Sequence, residues 1–180
     1  CARQGGADDS RTSGAGRCEM KPMPAAMTEP SLNIEFLPMQ SGDIDAVLAI
    51  EQNVQAFPWS RGNFADSLET GYGCWLMRAD GQLLGFAVMM MAFDEAELLN
   101  IGIVTQRQRE GLGSRFMEYL FELARSRGVQ RMFLEVRPSN ISALALYQRS
   151  GFVQSGLRVD YYPAPDGRED ALMLERDLCA

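Results

Sequence analysis

Residues 98–136 restrict the fold more than any other stretch of the chain. Leu98-Leu99-Asn100-Ile101-Gly102-Ile103-Val104 is an apolar run of strand length. Gln108-Arg109-Glu110-Gly111-Leu112-Gly113-Ser114 follows as a glycine-bearing loop, and Phe116, Leu120, Leu123 and Ala124 then recur at helical spacing. Gly128 is a natural stop for that helix. Met132-Phe133-Leu134-Glu135-Val136 is the next strand. Strand, helix and strand in that order predict a β-α-β crossover, which joins parallel neighbours in one sheet.

The flanking segments read as a meander around that unit. Asn33–Leu37 alternates like a strand. Asp43 can cap a helix whose stripe is Ile44, Val47, Leu48 and Ile50, and Ser60 can cap a short second helix ending near Gly71. Two strands, about 74–79 and 82–91, are joined by the hairpin signal Asp80-Gly81. Asp94-Glu95 then turns the chain into the strand at 98–104. Ser139 or Asn140 caps a last helix, 141–149, closed by Gly151. Two final strands, about 152–161 and 170–176, flank the loop Pro163–Gly167. The expected fold is one α/β domain over 31–180, a mixed sheet of about seven strands with helices on both faces. Residues 1–30 are small, polar, Gly and Pro residues without hydrophobic period, which predicts a disordered N-terminal extension.

Composition removes several chemistries. The 180-residue chain has no histidine. It therefore cannot build a Ser-His-Asp triad, a Cys-His pair or a His-ligated metal, and no metal site is expected. Lys21 is the single lysine, so a phosphate-loop lysine and Schiff-base chemistry are disfavoured. The net charge of −7 argues against nucleic acid and suits a basic partner. Cys1, Cys18, Cys74 and Cys179 form no C-x-x-C pair and read as free thiols of a cytoplasmic protein. The longest apolar stretch, Phe86–Phe93, is too short for a membrane span. A monomer is the expected state.

Three motifs remain that can carry chemistry. Gly111 and Gly113 let the first N–H groups of a helix approach a phosphate, with Arg107, Arg109 and Arg115 gathering positive charge nearby. A plain glycine turn into a surface helix fits this motif equally. Glu135 stands inside an apolar strand, where partial burial would raise its pKa and make it a better base. A charge pair with Arg137 or a neighbouring strand explains it as well. Tyr147 is a core aromatic or, beside the other two motifs, a phenolic proton donor.

In this order the motifs resemble the GNAT family of acetyl-CoA-dependent N-acetyltransferases. The family's loop pattern Q/R-x-x-G-x-G/A is matched by Gln108–Gly113, and its later pattern by Asn140, Ala143, Tyr147, Gly151 and Phe152. Finer matches resemble the branch that acetylates the N-terminal alanine of ribosomal proteins. They are Ala56–Ser60, Asp94-Glu95-Ala96 with Asn100-Ile101, Leu134–Arg137, and Tyr161-Tyr162-Pro163 with Gly167–Ala171. Thr105-Gln106-Arg107 departs from the family, which often has Asp-Pro there.

The resemblance implies a GNAT-type sheet and acetyl-CoA as co-substrate. Ile101, Gly102 and Ile103 would hold its acetyl and pantetheine end, Arg109, Glu110, Gly111, Leu112, Gly113 and Ser114 its pyrophosphate, and Asn140 its pantetheine arm. Glu135 would accept the proton of the attacking amine and Tyr147 would protonate the departing thiolate. The implied acceptor is the basic N-terminal tail of a ribosomal protein. The Phe57-Pro58-Trp59 loop and the Tyr161-Tyr162 hairpin would wall its groove, although ordinary core packing explains those aromatics equally. An acetyltransferase for small amines or lysines, and a non-catalytic acyl-CoA-binding module, stay open as alternatives.

Overall fold

The computed structural model describes residues 32–179, so the extension expected over 1–30 lies outside the described residues. Among the described residues seven strands form one sheet: β1 Ile34–Pro38, β2 Gly73–Ala79, β3 Gln82–Ala92, β4 Glu95–Ile103, β5 Arg131–Val136, β6 Val153–Ala164 and β7 Gly167–Asp177. Their order is β1-β2-β3-β4-β5-β7-β6, and only β4 and β5 are parallel. Four helices lie among the described residues: α1 Ile44–Val54, α2 Arg61–Glu69, α3 Leu112–Ser126 and α4 Ile141–Arg149. This is the α/β mixed-sheet architecture expected from the crossover at 98–136.

The apolar run of β3 explains the layering. Phe86 and Val88 pack with Ile44, Val47 and Phe64 of α1 and α2, while Ala87 and Met89 pack in the core that holds Phe116, Met117 and Leu120 of α3. Alternate residues of one strand thus face two helical layers, and burial on both sides requires a continuous apolar sequence.

Local signals set most boundaries. The Ser60 hydroxyl accepts from the Asn63 N–H and the Asn63 side chain returns a bond to the Ser60 N–H, a reciprocal cap for α2. Asp80 and Gly81 both have positive φ, the geometry that closes a two-residue hairpin. Asp43 follows expectation in place but not in bonding. It stands at the N-cap position of α1 as expected but makes no side-chain cap bond to it; it ends a 3-10 turn, and its carboxylate accepts from the Gln40 N–H at 2.9 Å and pairs with Arg78 at 3.0 Å. β4 begins at Glu95, not near Leu98, because the turn is made by Phe93 and Asp94. The last hairpin is tighter than expected, since β6 and β7 extend to Ala164 and Gly167 around Pro165-Asp166.

Two irregularities shape the site. In β4 the register passes from Met89↔Leu98 to Val88↔Asn100, leaving Leu99 as a bulge. Pairing of β4 with β5 covers only Glu95–Leu98 against Arg131–Leu134, and beyond that point the two parallel strands separate. In β6 the register passes from Arg158↔Ala171 to Tyr162↔Glu169, so Val159-Asp160-Tyr161 stand opposite Asp170 alone. That detour is pinned by the Asp160 N–H donating to Asp170 Oδ1 at 2.9 Å and by Arg168 donating to the Asp160 and Tyr161 carbonyls.

Candidate active site

The separation of β4 from β5 opens a cleft of about 900 Å³ through the sheet. Its position decides which backbone groups are free. The Val104 N–H bonds the Leu84 carbonyl, so hydrogen-bonded pairs with β3 fall at Val104 and Gly102. By antiparallel alternation Ile101 and Ile103 turn their N–H and C=O groups away from β3, toward the side that β5 has left. The Ile103 carbonyl accepts from Gln108 Nε2 at 3.1 Å. Two isoleucine N–H groups therefore face a cleft with no strand to satisfy them.

One end of the cleft is the start of α3. Gly111 is its N-cap at φ 80°, a left-handed conformation that glycine adopts without a Cβ penalty. The first N–H groups of α3 have no intrahelical partner and carry the positive end of its dipole. Arg109, Gly111, Gly113 and Ser114 line the cleft, whereas Glu110 and Leu112 do not. Glu110 is held by Arg107 at 2.8 Å, and the Leu112 side chain is buried in the core. Of the three arginines read as a cluster, Arg107 and Arg109 line the cleft and Arg115 is exposed elsewhere; Arg149 of α4 joins them instead. Gly113 also lets α4 approach, since a Cβ there would lie 3.2 Å from Leu146 Cδ2.

Because the cleft pierces the sheet, side chains from both faces reach it. Leu134 and Val136 point into the α3 and α4 layer, so Glu135 projects to the opposite face. Tyr147 comes from α4 behind the sheet, yet Glu135, Asn140 and Tyr147 all line the same cleft. Burial pushes the Tyr147 phenol far above the ordinary tyrosine range, so it stays protonated. Asn140 caps α4: its Oδ1 accepts from the Ala143 N–H at 3.2 Å and from the Ser142 hydroxyl at 3.1 Å. Only its amide N–H groups are left to donate to a ligand.

Glu135 is not the lone carboxylate that its apolar strand suggests. Its Oε1 lies 2.6 Å from Arg158 Nε of β6, while Arg137, the partner considered from sequence, pairs with Glu169 at 3.2 Å. Glu97 lies near Glu135, and burial followed by the Glu135 charge raises its carboxyl. A hydrogen bond to Glu135, then burial, raises the Tyr161 phenol. Burial, then Glu135, pushes Tyr162 up to about 12.

The other end of the cleft is walled by aromatics. Phe57, Trp59 and Tyr162 line it, and Tyr161 packs edge-on to Tyr162 at 4.9 Å. The Arg137 guanidinium sits between the Phe57 and Tyr162 rings, 4.6 and 4.3 Å from their centroids. It also donates to the Pro163 carbonyl at 2.8 Å. One cation thus ties the α1–α2 loop to the last hairpin. Sequence reading passed over Arg158, Arg149 and Glu51. A signal for Glu51 exists, since it falls seven residues after Ile44 on the apolar stripe of α1.

Known proteins resemble this chain in sequence and fold. The Acetyltransferase (GNAT) family profile matches residues 44–152. The [ribosomal protein bS18]-alanine N-acetyltransferase of Escherichia coli K12 is 40% identical over 136 residues, covering 76% of this chain and 92% of that protein. Its counterpart in Haemophilus influenzae is 35% identical over 137 residues, covering 76% and 93%. The crystal structure of the E. coli ribosomal-protein-S18-alanine N-acetyltransferase superposes with a TM-score of 0.75 at 37% identity, covering 81% of this chain and 94% of that one. YncA of Salmonella typhimurium, solved with its cofactor acetyl-CoA, shares the fold at a TM-score of 0.66 and 17% identity, covering 81% and 94%. With the split sheet, the glycine-capped α3 and these matches together, the chain belongs to the GNAT family of acetyltransferases.

Proposed function

We propose that this protein transfers the acetyl group of acetyl-CoA to the α-amino group of a protein N-terminus, with the N-terminal alanine of a small-subunit ribosomal protein as acceptor. The observation that carries the chemistry is the cleft between β4 and β5, where unpartnered isoleucine N–H groups meet Glu135 and Tyr147. The acceptor follows from the likeness to the bS18-alanine enzymes, which extends over 92% of the E. coli protein.

The cleft suits coenzyme A. Ile101 and Ile103 offer strand-like hydrogen bonds to an extended amide-bearing arm, and the Asn140 amide can add another. The α3 N-terminus from Arg109 to Ser114 offers backbone N–H groups and positive charge to a diphosphate. Through its backbone Leu112 contributes to that cradle, and Glu110 keeps Arg107 in place at its edge. When bound, the co-substrate supplies an acetyl group activated as a thioester.

The chain's own residues do the rest. An α-amino group, with a pKa of about 7.7–8.0, is roughly one-tenth neutral at pH 7, whereas a lysine amine near 10.4 is almost wholly charged. Glu135 therefore has a modest task, to take one proton from an amine already close to neutrality. Arg158 is half exposed and gives way as the acceptor arrives at Glu135. The Ile103 N–H donates to the carbonyl oxygen as it gains charge. Tyr147 donates to the departing sulfur. Full transfer from an ordinary phenol to a thiolate of pKa about 8.5 is already uphill by roughly 2 kcal/mol, and burial adds to that. Tyr147 thus stabilises the thiolate by a hydrogen bond. The nitrogen loses one proton to Glu135 before attack, which Glu135 releases to solvent, and a second as the amide forms. That second proton, or its equivalent from solvent, completes the departing thiol.

Mass spectrometry tests the reading. The protein is incubated with acetyl-CoA and peptides beginning Ala, Ser or Met, beside a lysine peptide with a blocked N-terminus. Acetylation at the α-nitrogen of the Ala peptide is expected. Acetylation of the lysine peptide alone, or none, overturns it.

A further inference from the structure

The mechanism leaves one buried ionisable group unused. Glu51 lies in α1, is 1% exposed, and lines the cleft. Its Oε1 accepts from the Trp59 N–H at 2.8 Å and from Asn100 Nδ2 at 3.1 Å. Its Oε2 is equally buried and has no hydrogen-bond partner. Among the described residues no cation lies within ion-pair distance of it. Burial pushes its carboxyl above the ordinary glutamate range.

The two satisfied bonds do not require a carboxylate. A glutamine would accept both through its single carbonyl oxygen, at no cost of burying a charge. A glutamate there keeps one buried oxygen open and, when ionised, a negative charge with no counterion among the described residues, which is costly unless something else in the cleft completes it. Its neighbours say where in the cleft it acts. Trp59 belongs to the loop that walls the acceptor end, and Asn100 follows the Leu99 bulge where β4 turns from β5. Asn100 is paired across the sheet with Val88, whose layer is that of α1 and α2, the face to which Glu135 also projects.

We propose that Glu51 is an acceptor-binding residue: its open carboxylate oxygen receives an N–H of the incoming ammonium group and so selects a protonated peptide N-terminus before Glu135 removes the proton. This rests on the N-terminal acetyl-transfer reading and names the residue that recognises the amine. Arriving acceptor is about nine-tenths ammonium at pH 7, so a desolvated carboxylate is the group that tells it from a neutral chain end. Glu51 and Glu135 then divide the work, one holding the cation and the other deprotonating it.

The test is a binding comparison on the full chain with coenzyme A present. An Ala-initiated basic peptide is titrated against the same peptide with propionyl in place of alanyl, which replaces the amine by hydrogen. In the wild type the amine peptide should bind at least tenfold more tightly. In Glu51→Gln that preference should fall below threefold, with thermal stability and coenzyme A affinity retained. In steady state the same variant should raise the peptide KM at least tenfold while kcat changes less than threefold. Glu135→Gln should keep the binding preference and lose turnover. A wild type that binds both peptides equally overturns the proposal, even if Glu51→Gln fails to fold. So does a Glu51→Gln enzyme with wild-type preference, which makes Glu51 a brace between the loop and β4. Absence of acetylated product from the wild type refutes the acetyl-transfer reading instead, since the binding comparison does not depend on turnover.

Discussion

Gly102→Ala offers a severe test of how β4 is held. Gly102 is paired across the sheet with Phe86. A Cβ at this position would stand 2.6 Å from Phe86 Cε1 and 3.0 Å from Cζ. Carbon atoms pack comfortably at about 3.5–4.0 Å, so roughly 1 Å must be found. Phe86 cannot supply it cheaply, being fully buried and edge-on to the equally buried Phe64 at 5.4 Å. The strand must move instead, away from α1 and α2. Overpacking of this kind costs about 1–3 kcal/mol. For a domain of this size that is a fall in Tm of about 2–12 °C. The same movement displaces Ile101 and Ile103, so the affinity for coenzyme A should drop at least tenfold. Differential scanning calorimetry reads the first effect and isothermal titration the second. Phe86→Leu, added to Gly102→Ala, removes the ring atoms in conflict and should restore more than half of the lost affinity. A Gly102→Ala protein with unchanged Tm and unchanged affinity would show that β4 is not fixed by this contact, and the reasoning would fail.

Three further outcomes are expected. Glu135→Gln should lower kcat by about 10²–10⁴-fold with little change in coenzyme A binding, and Tyr147→Phe should lower it by about 10²-fold; turnover at the wild-type rate removes the role concerned. Burial pushes the Cys74 thiol up to about 11, so with Cys1 and Cys18 changed to Ser a disulfide reagent at pH 8 should label the exposed Cys179 quickly and Cys74 only on unfolding; equal labelling rates contradict this. Bonds from Ser139, then Arg137, lower the Glu169 carboxyl below its ordinary value. A depressed folded-state pKa stabilises above the unfolded value of about 4.3 and ceases to do so as pH falls through the folded one. The Tm gap between wild type and Glu169→Gln should accordingly be widest near neutrality and close in acid, and a constant gap refutes the linkage.

The fold was legible wherever one residue decides one boundary. Ser60 ahead of α2, Asp80-Gly81 between β2 and β3, and the apolar run of β3 each act locally, so neighbouring residues suffice to read them. The turn into α3 was legible through Gly111, which the structure places at the N-cap with positive φ. What could not be read depends on distant register. The β4–β5 separation begins at Leu98 and Leu134 because Leu99 is an extra residue against β3, and nothing in the local pattern of β4 marks it. The Glu135–Arg158 pair joins residues whose strands are not neighbours, brought together across β7 beside the detour in β6. Arg115 sits in the first turn of α3 and Arg149 in the last turn of α4, and only the packing of the two helices puts Arg149 and not Arg115 on the cleft.

The detour at Val159-Asp160-Tyr161 has a consequence away from chemistry. β6 is the outermost strand, twelve residues long, with Val153, Leu157 and Val159 exposed. An uncovered rim of that kind is a template on which another polypeptide can add by main-chain pairing. Here any incoming strand loses register after Arg158, where the backbone leaves the ladder and Asp160 turns to φ 53°. The kink that carries Tyr161 and Tyr162 toward the aromatic end of the cleft thus also breaks the main-chain ladder of the rim, and straightening it by deletion should lengthen the edge on which a second chain can pair.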